Sequence, residues 1–331
     1  MDNYLILTPD GVGSTYLQRV LTVYLHSANL DYWNTHELLN GLGLYKGNLY
    51  KDFSLQYSQT IPEICKLLES TNNSLVSRIA QYHINGRLKN NKEDYQQLYD
   101  TCNKKFQKIF YCIRDPFEYA LSWSIRERTD TLNVYSIHER NNVHGIDTKH
   151  KIKLNFFKRK LEQYSDYEYW AEDNFNVTSN VSYNDIHKNV DAIMKELTGM
   201  KHDVSDRFNV SLQDYSTIRY MVSKYIQTKN TDWIPEKNKC KGTLKLHEFI
   251  KQVANKYNKI PTNIPVKMNT LQDKQDRIIN FDDAVETYNR WTTTTNSHTP
   301  ISQEDIIQRT KIENKIYNKT PNEIINSDLD R

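Results

Sequence analysis

The feature that most constrains the fold is a stretch near the start of the chain that joins a strand to a helix through glycines. Tyr4 to Leu7 form an apolar run of strand length, and a turn containing Gly11 and Gly13 follows it. Over residues 14–25 the apolar side chains recur every three or four positions, which predicts an amphipathic helix. The stretch therefore predicts a buried strand, a tight turn and a helix.

Such a turn suits a bound phosphate, because it directs backbone N–H groups and the positive end of the helix dipole at one point. Gly11 and Gly13 have no Cβ atom to keep an anion from the backbone, and Ser14 and Thr15 add hydroxyl donors. The alternative interpretation is an ordinary strand–turn–helix corner capped by Ser14. The turn is not a Walker A loop, since Gly13 stands where its lysine belongs.

Composition narrows the class of protein. The 331 residues are 37% hydrophobic, which allows one large α/β domain with an extension, or two domains. A net charge of +3 is too small to indicate nucleic acid by bulk electrostatics.

We find no signal-peptide pattern and no apolar run near 20 residues, so we expect a soluble cytoplasmic protein without a membrane span. The asparagine-, lysine- and tyrosine-rich usage suggests an AT-rich microbial or viral genome; for a virus the location would be the host cytoplasm or the virion.

The four cysteines have no CxxC spacing, so we interpret them as reduced thiols and expect no metal. Apolar runs predict strands at 3–8, 74–80, 108–113 and 175–183, with a shorter one from Leu30 to Trp33. Helical segments separate them, which predicts an α/β fold: a mainly parallel sheet with helices on both faces. Ligands in such folds bind beyond the carboxyl ends of the strands.

The pattern changes near residue 256, where prolines and polar residues become frequent. We therefore divide the chain into an α/β domain, 1–255, and a C-terminal extension or docking arm, 256–331. The sequence favours an extension that packs on the core over an arm that binds another chain. Because apolar periodicity fades, we predict that residues from about 260 lie outside the compact core. Residues 129–160 are poorly patterned and are interpreted as a loop with short helices.

A second motif, Arg114-Asp-Pro-Phe-Glu-Tyr-Ala-Leu-Ser122, follows the strand at 108–113. An arginine at a strand end can make a forked contact with a phosphate, and Ser122 lies two helical turns further on. The alternative is that Arg114 pairs with Asp115 or Glu118 and that Ser122 is only a small helix residue.

The pattern Arg-Asp-Pro-x-Glu-x-Ala-x-Ser resembles the 3′-phosphate-binding segment of sulfotransferases that use 3′-phosphoadenosine 5′-phosphosulfate (PAPS). Gly13-Ser-Thr-Tyr-Leu17 is similar to their 5′-phosphosulfate loop, and Val181-Ser-Tyr-Asn-Asp-Ile186 to a segment whose tyrosine lies near the adenine. The three segments occur in the family's order and cover residues 1 to about 200. The resemblance implies a P-loop sulfotransferase-like fold.

The resemblance also implies that PAPS is the cosubstrate, that adenosine 3′,5′-bisphosphate is the product, and that no metal takes part. The residues it assigns to the nucleotide are Gly11, Gly13, Ser14 and Thr15 at the 5′ side, Arg114 and Ser122 at the 3′ side, and Tyr183 at the adenine. The family's loop carries a lysine or arginine where this chain has Gly11, preceded by Asp10.

The catalytic candidates come from neighbouring segments. Arg78 is the best available cation for the transferring group, standing in for a family lysine. His36, Glu37 and His83 are the candidate bases. We therefore expect a divergent sulfotransferase that transfers a sulfuryl group from PAPS to a hydroxyl or amine. The alternative is a catalytically silent sulfotransferase-like module, for example in a viral particle, with a protein partner on the C-terminal arm. A P-loop kinase is a weaker third interpretation, because the Walker lysine is missing.

Overall fold

The structure is a computed structural model of the chain. It describes residues 1–9, 11–28, 30, 32–34, 38–40, 45–46, 60–72, 74–80, 92–129, 149–183, 185, 190–201 and 271–317. These residues form two compact units. The first takes its residues from Met1–Ile113 and Tyr167–Asn258, and the second from Arg114–Asp166 and Lys259–Arg331.

The first unit contains a six-stranded sheet. Its strands, in chain order, are β1 (Tyr4–Thr8), β2 (Tyr32–Asn34), β3 (Tyr45–Lys46), β4 (Ser74–Ala80), β5 (Lys108–Ile113) and β6 (Ser179–Ser182). Their order across the sheet is β3-β2-β4-β1-β5-β6. Every neighbouring pair is parallel except β2 and the short edge strand β3. The predicted α/β fold with a mainly parallel sheet is confirmed at this level.

Nine α-helices lie in the described part of the chain. They are α1 (Ser14–Ser27), α2 (Ile61–Ser70), α3 (Lys92–Lys105), α4 (Pro116–Thr129), α5 (Leu154–Asn174), α6 (Val190–Thr198), α7 (Leu271–Arg277), α8 (Phe281–Thr295) and α9 (Gln303–Tyr317). A short 3₁₀ turn spans Leu38–Asn40. None of the helices in these described ranges is long and apolar enough to cross a membrane.

One face of the sheet is buried under α2, α3 and the end of α5. Alternate strand residues such as Leu5, Leu7 and Ile109 point to this face, because side chains along a strand alternate between its two sides. They belong to one hydrophobic cluster with the apolar sides of the three helices. Thr60 caps α2 through a reciprocal capping box with Glu63, which fixes where that helix begins.

The opposite face is covered by α1. Its buried apolar stripe includes Leu17, Leu21 and Tyr24, and the Gln18 side chain donates to the carbonyl of Val76 in β4 at 3.3 Å. The Tyr24 hydroxyl donates to the carbonyl of Met200, just after α6, at 3.0 Å. Helices therefore cover both faces of the sheet, as an amphipathic helix on each side of parallel strands requires.

Two local expectations differ from the structure. The last strand begins at Ser179 rather than at residue 175, because α5 continues to Asn174. That helix begins at Leu154, inside the segment interpreted as a loop. Its buried residues Phe157, Leu161 and Tyr164 have helical spacing, but charged neighbours on the exposed side hide the pattern in a simple reading of the sequence.

The second unit has its own hydrophobic cluster. Phe117 of α4 and Phe157 of α5 pack in it with Phe281, Tyr288 and Trp291 of α8. Trp291 is only 4% exposed. The prediction that residues from about 260 lie outside the compact core is therefore wrong for 271–306, because a few large aromatic side chains replace a regular apolar stripe. The predicted boundary between residues 255 and 256 lies outside the described residues and stays a prediction.

Candidate functional site

The turn between β1 and α1 has the geometry that its glycines suggest. Gly11 and Gly13 have φ angles of 82° and 78°, in the left-handed region that side chains other than glycine rarely adopt. The Gly13 carbonyl accepts from the N–H of Leu17 at 3.1 Å, so the helix starts directly after this glycine. The first N–H groups of α1 therefore begin at the predicted anion site.

The side chain of Tyr183 also requires a glycine at position 13. A Cβ atom added to Gly13 would lie 2.3 Å from a ring carbon of Tyr183, which follows the last residue of β6. The ring thus packs directly on the glycine turn. The sequence predicted that Tyr183 lies near the adenine of a bound nucleotide. In the structure its ring contacts the glycine turn. A contact with an adenine stays a prediction.

Arg78 reaches the same turn from the neighbouring strand. Its guanidinium Nη1 donates to the hydroxyl Oγ of Ser14, the first residue of α1, at 3.1 Å. Both residues are buried, and Arg78 is only 5% exposed. The register of the sheet explains the contact, because Ile6 of β1 pairs with Arg78 of β4, and Ser14 follows β1 through the turn. A cation therefore lies at the glycine turn although the turn itself contains none.

Two features of the first unit support this arrangement. The hydroxyl of Tyr167 accepts from the N–H of Thr8 at 3.1 Å and donates to the carbonyl of Ile79 at 3.2 Å, which ties the ends of β1 and β4 together. The thiol of Cys112 lies near Arg78; burial raises its pKa to about 12, and the arginine charge offsets part of that effect. Cys112 therefore stays protonated and is not a nucleophile at neutral pH.

Arg114 occupies a different environment, in the second unit. Its Nη2 lies 3.4 Å from the carboxylate Oε2 of Glu118, one turn along, with both side chains buried. The ammonium Nζ of Lys274, from α7, lies 3.3 Å from the same oxygen and is fully buried. The pairing of Arg114 with Glu118 that the sequence allowed is thus present, and a lysine from the predicted extension joins it.

The hydroxyl of Tyr164 fixes the backbone of Arg114. It accepts from the Arg114 N–H at 3.0 Å and donates to the Arg114 carbonyl at 2.7 Å. The next residue, Asp115, accepts from the N–H of Glu118 at 3.0 Å and so caps α4. Burial raises the pKa of the Asp115 carboxyl, and the Arg309 guanidinium, 2.6 Å away, offsets part of this effect.

Ser122 lies on the side of α4 that carries Glu118, one turn further on. It is 2% exposed, and its hydroxyl has no hydrogen-bond partner among the described residues. A buried hydroxyl without a hydrogen-bond partner is unusual, since a missing hydrogen bond at a buried polar group costs about 1–3 kcal/mol. The contact of Ser122 and Arg114 with a 3′-phosphate stays a prediction.

Several other predicted site residues lie outside the part of the chain that the structure describes. The candidate bases His36, Glu37 and His83 lie outside the described residues, as do Asp10 and the side chain of Thr15. Sequence reasoning missed Tyr164, Tyr167 and Lys274. The abundance of tyrosine was the only signal for the first two, and nothing in the polar run around Lys274 predicted its burial.

No family model and no curated protein matches the chain. Within the described ranges no group of histidine, cysteine or carboxylate side chains has a metal-binding arrangement. The functional interpretation therefore depends on the residues themselves.

Proposed function

We propose that the chain is a PAPS-dependent sulfotransferase that acts on a hydroxyl or amine. The observation that carries the proposal is the contact between Arg78 and Ser14 at the glycine turn. The sequence lacks the loop cation of the family it resembles, and Arg78, which stands in for a lysine of another family segment, is the best available cation for the transferring group. A buried guanidinium at a helix N-terminus is suited to a sulfonate or phosphate oxygen.

The turn fits the 5′ end of such a nucleotide. Gly11 and Gly13 bring backbone N–H groups within reach of an anion, and Ser14 adds a hydroxyl that Arg78 already orients. Tyr183 packs on Gly13 and supports the conformation of the turn. In the proposed assignment Gly11, Gly13, Ser14 and Thr15 hold the 5′-phosphosulfate, Arg114 and Ser122 hold the 3′-phosphate, and Tyr183 lies near the adenine.

PAPS supplies an activated sulfuryl group. In the transfer the acceptor oxygen or nitrogen forms a bond to sulfur while the bond from sulfur to the 5′-phosphate oxygen breaks. The acceptor proton passes to a base, for which His36, Glu37 and His83 are the candidates, and adenosine 3′,5′-bisphosphate leaves. Arg78 neutralises charge on the sulfonate oxygens, which is the main electrostatic demand of such an in-line displacement.

The test is to incubate the full chain with radiolabelled PAPS and mixed phenolic, sugar and amine acceptors, and to follow label transfer. We expect transfer by the unmodified protein and a loss of about 100-fold or more for Arg78→Gln, the scale of removing one preorganised donor. Thr22→Val, on the same helix but away from the turn, is the control. Transfer that is unaffected by Arg78→Gln would contradict the assigned role.

A second candidate is a catalytically silent module of the same fold. The specific observation in its favour is the ion pair of Arg114 with Glu118, which gives this arginine a structural partner. In that case the cluster with Lys274 holds the second unit together. No label transfer together with no binding of adenosine 3′,5′-bisphosphate would favour this candidate over the enzyme.

A further inference from the structure

Two buried cations in the second unit share one carboxylate oxygen. The Nζ of Lys274, in α7, lies 3.3 Å from Oε2 of Glu118, and the Nη2 of Arg114 lies 3.4 Å from the same atom. The Lys274 side chain is fully buried, and the side chains of Arg114 and Glu118 are nearly so. Both contacts are longer than the roughly 2.7–2.9 Å of a strong charge-assisted hydrogen bond, as expected when two cations divide one oxygen.

A second carboxylate of the described cluster has a cation of its own. Asp115, the residue after Arg114, lies 2.6 Å from the Nη1 of Arg309, in α9. Asp115 also accepts from the N–H of Glu118 and so fixes the start of α4. In the described cluster Asp115 is therefore paired with Arg309, and Glu118 with both Arg114 and Lys274.

The sharing matters because Arg114 is the residue assigned to the 3′-phosphate. An arginine that is the sole partner of a buried carboxylate leaves that carboxylate unpaired when it turns to an anion, and an unpaired buried charge is strongly unfavourable. Lys274 removes this cost, since its ammonium stays on Glu118 when the guanidinium contacts a phosphate. The Tyr164 hydroxyl holds the backbone of Arg114, so the change is confined to the arginine side chain.

We propose that Lys274 is a positioning residue of the 3′-phosphate site: it keeps Glu118 neutralised and so makes Arg114 available to the anion. The inference rests on the proposed function, because the anion is the 3′-phosphate of the bound nucleotide. Lys274 acts through Glu118 and does not itself contact the phosphate. A residue of the predicted C-terminal extension thereby supports the nucleotide site.

The test is calorimetry of the full chain, which gives the affinity for adenosine 3′,5′-bisphosphate divided by that for adenosine 5′-phosphate. Lys274→Met keeps a long apolar side chain but removes the cation, so Arg114 stays on Glu118 and the ratio should fall about tenfold. Lys158→Met is the matched control, because it removes a lysine from an exposed pair with Glu162 in the same unit. We expect the control to leave the ratio unchanged.

A rescue variant separates positioning from a structural role. Adding Glu118→Gln to Lys274→Met removes one charge of each sign, so the net charge of the described cluster is that of the unmodified protein. Arg114 then has no carboxylate at position 118 to hold it, and we expect the ratio to return to within about threefold of its original value. A lysine that only stabilised the fold, or that contacted the phosphate directly, would give no such recovery.

Thermal unfolding shows whether each variant is folded at the temperature of the binding measurement. If the double variant is not folded, Lys274→Arg takes its place in the test. Its guanidinium keeps a positive charge beside Glu118, so the ratio should stay within about threefold of its original value.

Two results would overturn the inference and leave the proposed function intact. One is an unchanged ratio in Lys274→Met. The other is a fall in the ratio that the folded double variant, or Lys274→Arg in its place, shows to the same extent. Failure of the proposed function appears without any variant, because the unmodified protein then binds neither nucleotide or binds both equally, and the inference fails with it.

Discussion

Two buried arginines, one in each unit, are held in opposite ways. Arg78 donates to the uncharged hydroxyl of Ser14 at the glycine turn. Arg114 lies against the carboxylate of Glu118, which it shares with Lys274. The comparison shows that a buried arginine contacts a neutral hydroxyl at the glycine turn of one unit and belongs to an ion cluster in the other.

The largest effect should come from removing the shared carboxylate. Glu118→Gln leaves Arg114 and Lys274 buried without their common negative partner, and we expect it to lower the free energy of unfolding by about 3–5 kcal/mol. Denaturant unfolding followed by circular dichroism measures this. The control is Glu162→Gln, which breaks the exposed pair with Lys158 and should cost less than about 1 kcal/mol. Equal costs would mean that the buried cluster does not stabilise the second unit.

The next effect concerns the glycine turn of the first unit. Gly13→Ala forces a side chain into the left-handed region and against the Tyr183 ring. Gly199→Ala has the same backbone problem, with φ 69°, but no atom lies within 4 Å of its added Cβ. We therefore expect Gly13→Ala to destabilise the protein by about 1–3 kcal/mol more than Gly199→Ala.

A double variant sharpens this prediction. Adding Tyr183→Ala to Gly13→Ala removes the ring that the new methyl group contacts, so part of the lost stability should return. Thermal unfolding of the two single variants and the double variant gives the coupling between the positions. Strictly additive losses would contradict the packing of Tyr183 on the turn.

The smallest effect is a dependence on pH in the second unit. Burial lowers the pKa of His150, and the charges of Arg277 and Arg128 lower it further. Its pKa is therefore lower in the folded than in the unfolded state, so the unfolded state binds the proton first as pH falls below about 6.5. Stability should decrease as pH falls through this range, and His150→Gln should flatten the curve from pH 7 to 5. An unchanged curve would exclude His150 as a source.

The sequence predicted the strands well, because each of β1, β4 and β5 is a short apolar run bounded by polar residues. It did not predict that α5 begins at Leu154, since charged residues interrupt the apolar spacing of that helix. It named Arg78 as a replacement cation, but the contact with Ser14 depends on strand register, which local patterns do not specify. The sequence did not predict the burial of Lys274, because a buried lysine needs an ionic partner, and its partner Glu118 is distant in the sequence.

The most direct test of the account compares two ligands on three variants. Calorimetry of the full chain should detect binding of adenosine 3′,5′-bisphosphate and, more weakly, of adenosine 5′-phosphate. Arg78→Gln should weaken both ligands by a similar factor, because both carry the 5′-phosphate. Arg114→Ala should weaken only the first, by about 30- to 150-fold for a lost charge-assisted contact, and Arg114→Lys should recover part of that loss.

The ratio of the two affinities on one variant is the decisive number, because a general loss of stability changes both ligands alike. For Arg78→Gln the ratio of the affinity for adenosine 3′,5′-bisphosphate to that for adenosine 5′-phosphate should stay unchanged. For Arg114→Ala this ratio should fall by about 30- to 150-fold. If Arg114→Ala weakens both ligands equally, Arg114 serves only the ion cluster with Glu118 and Lys274. If neither ligand binds the unmodified protein, the proposed nucleotide site is contradicted.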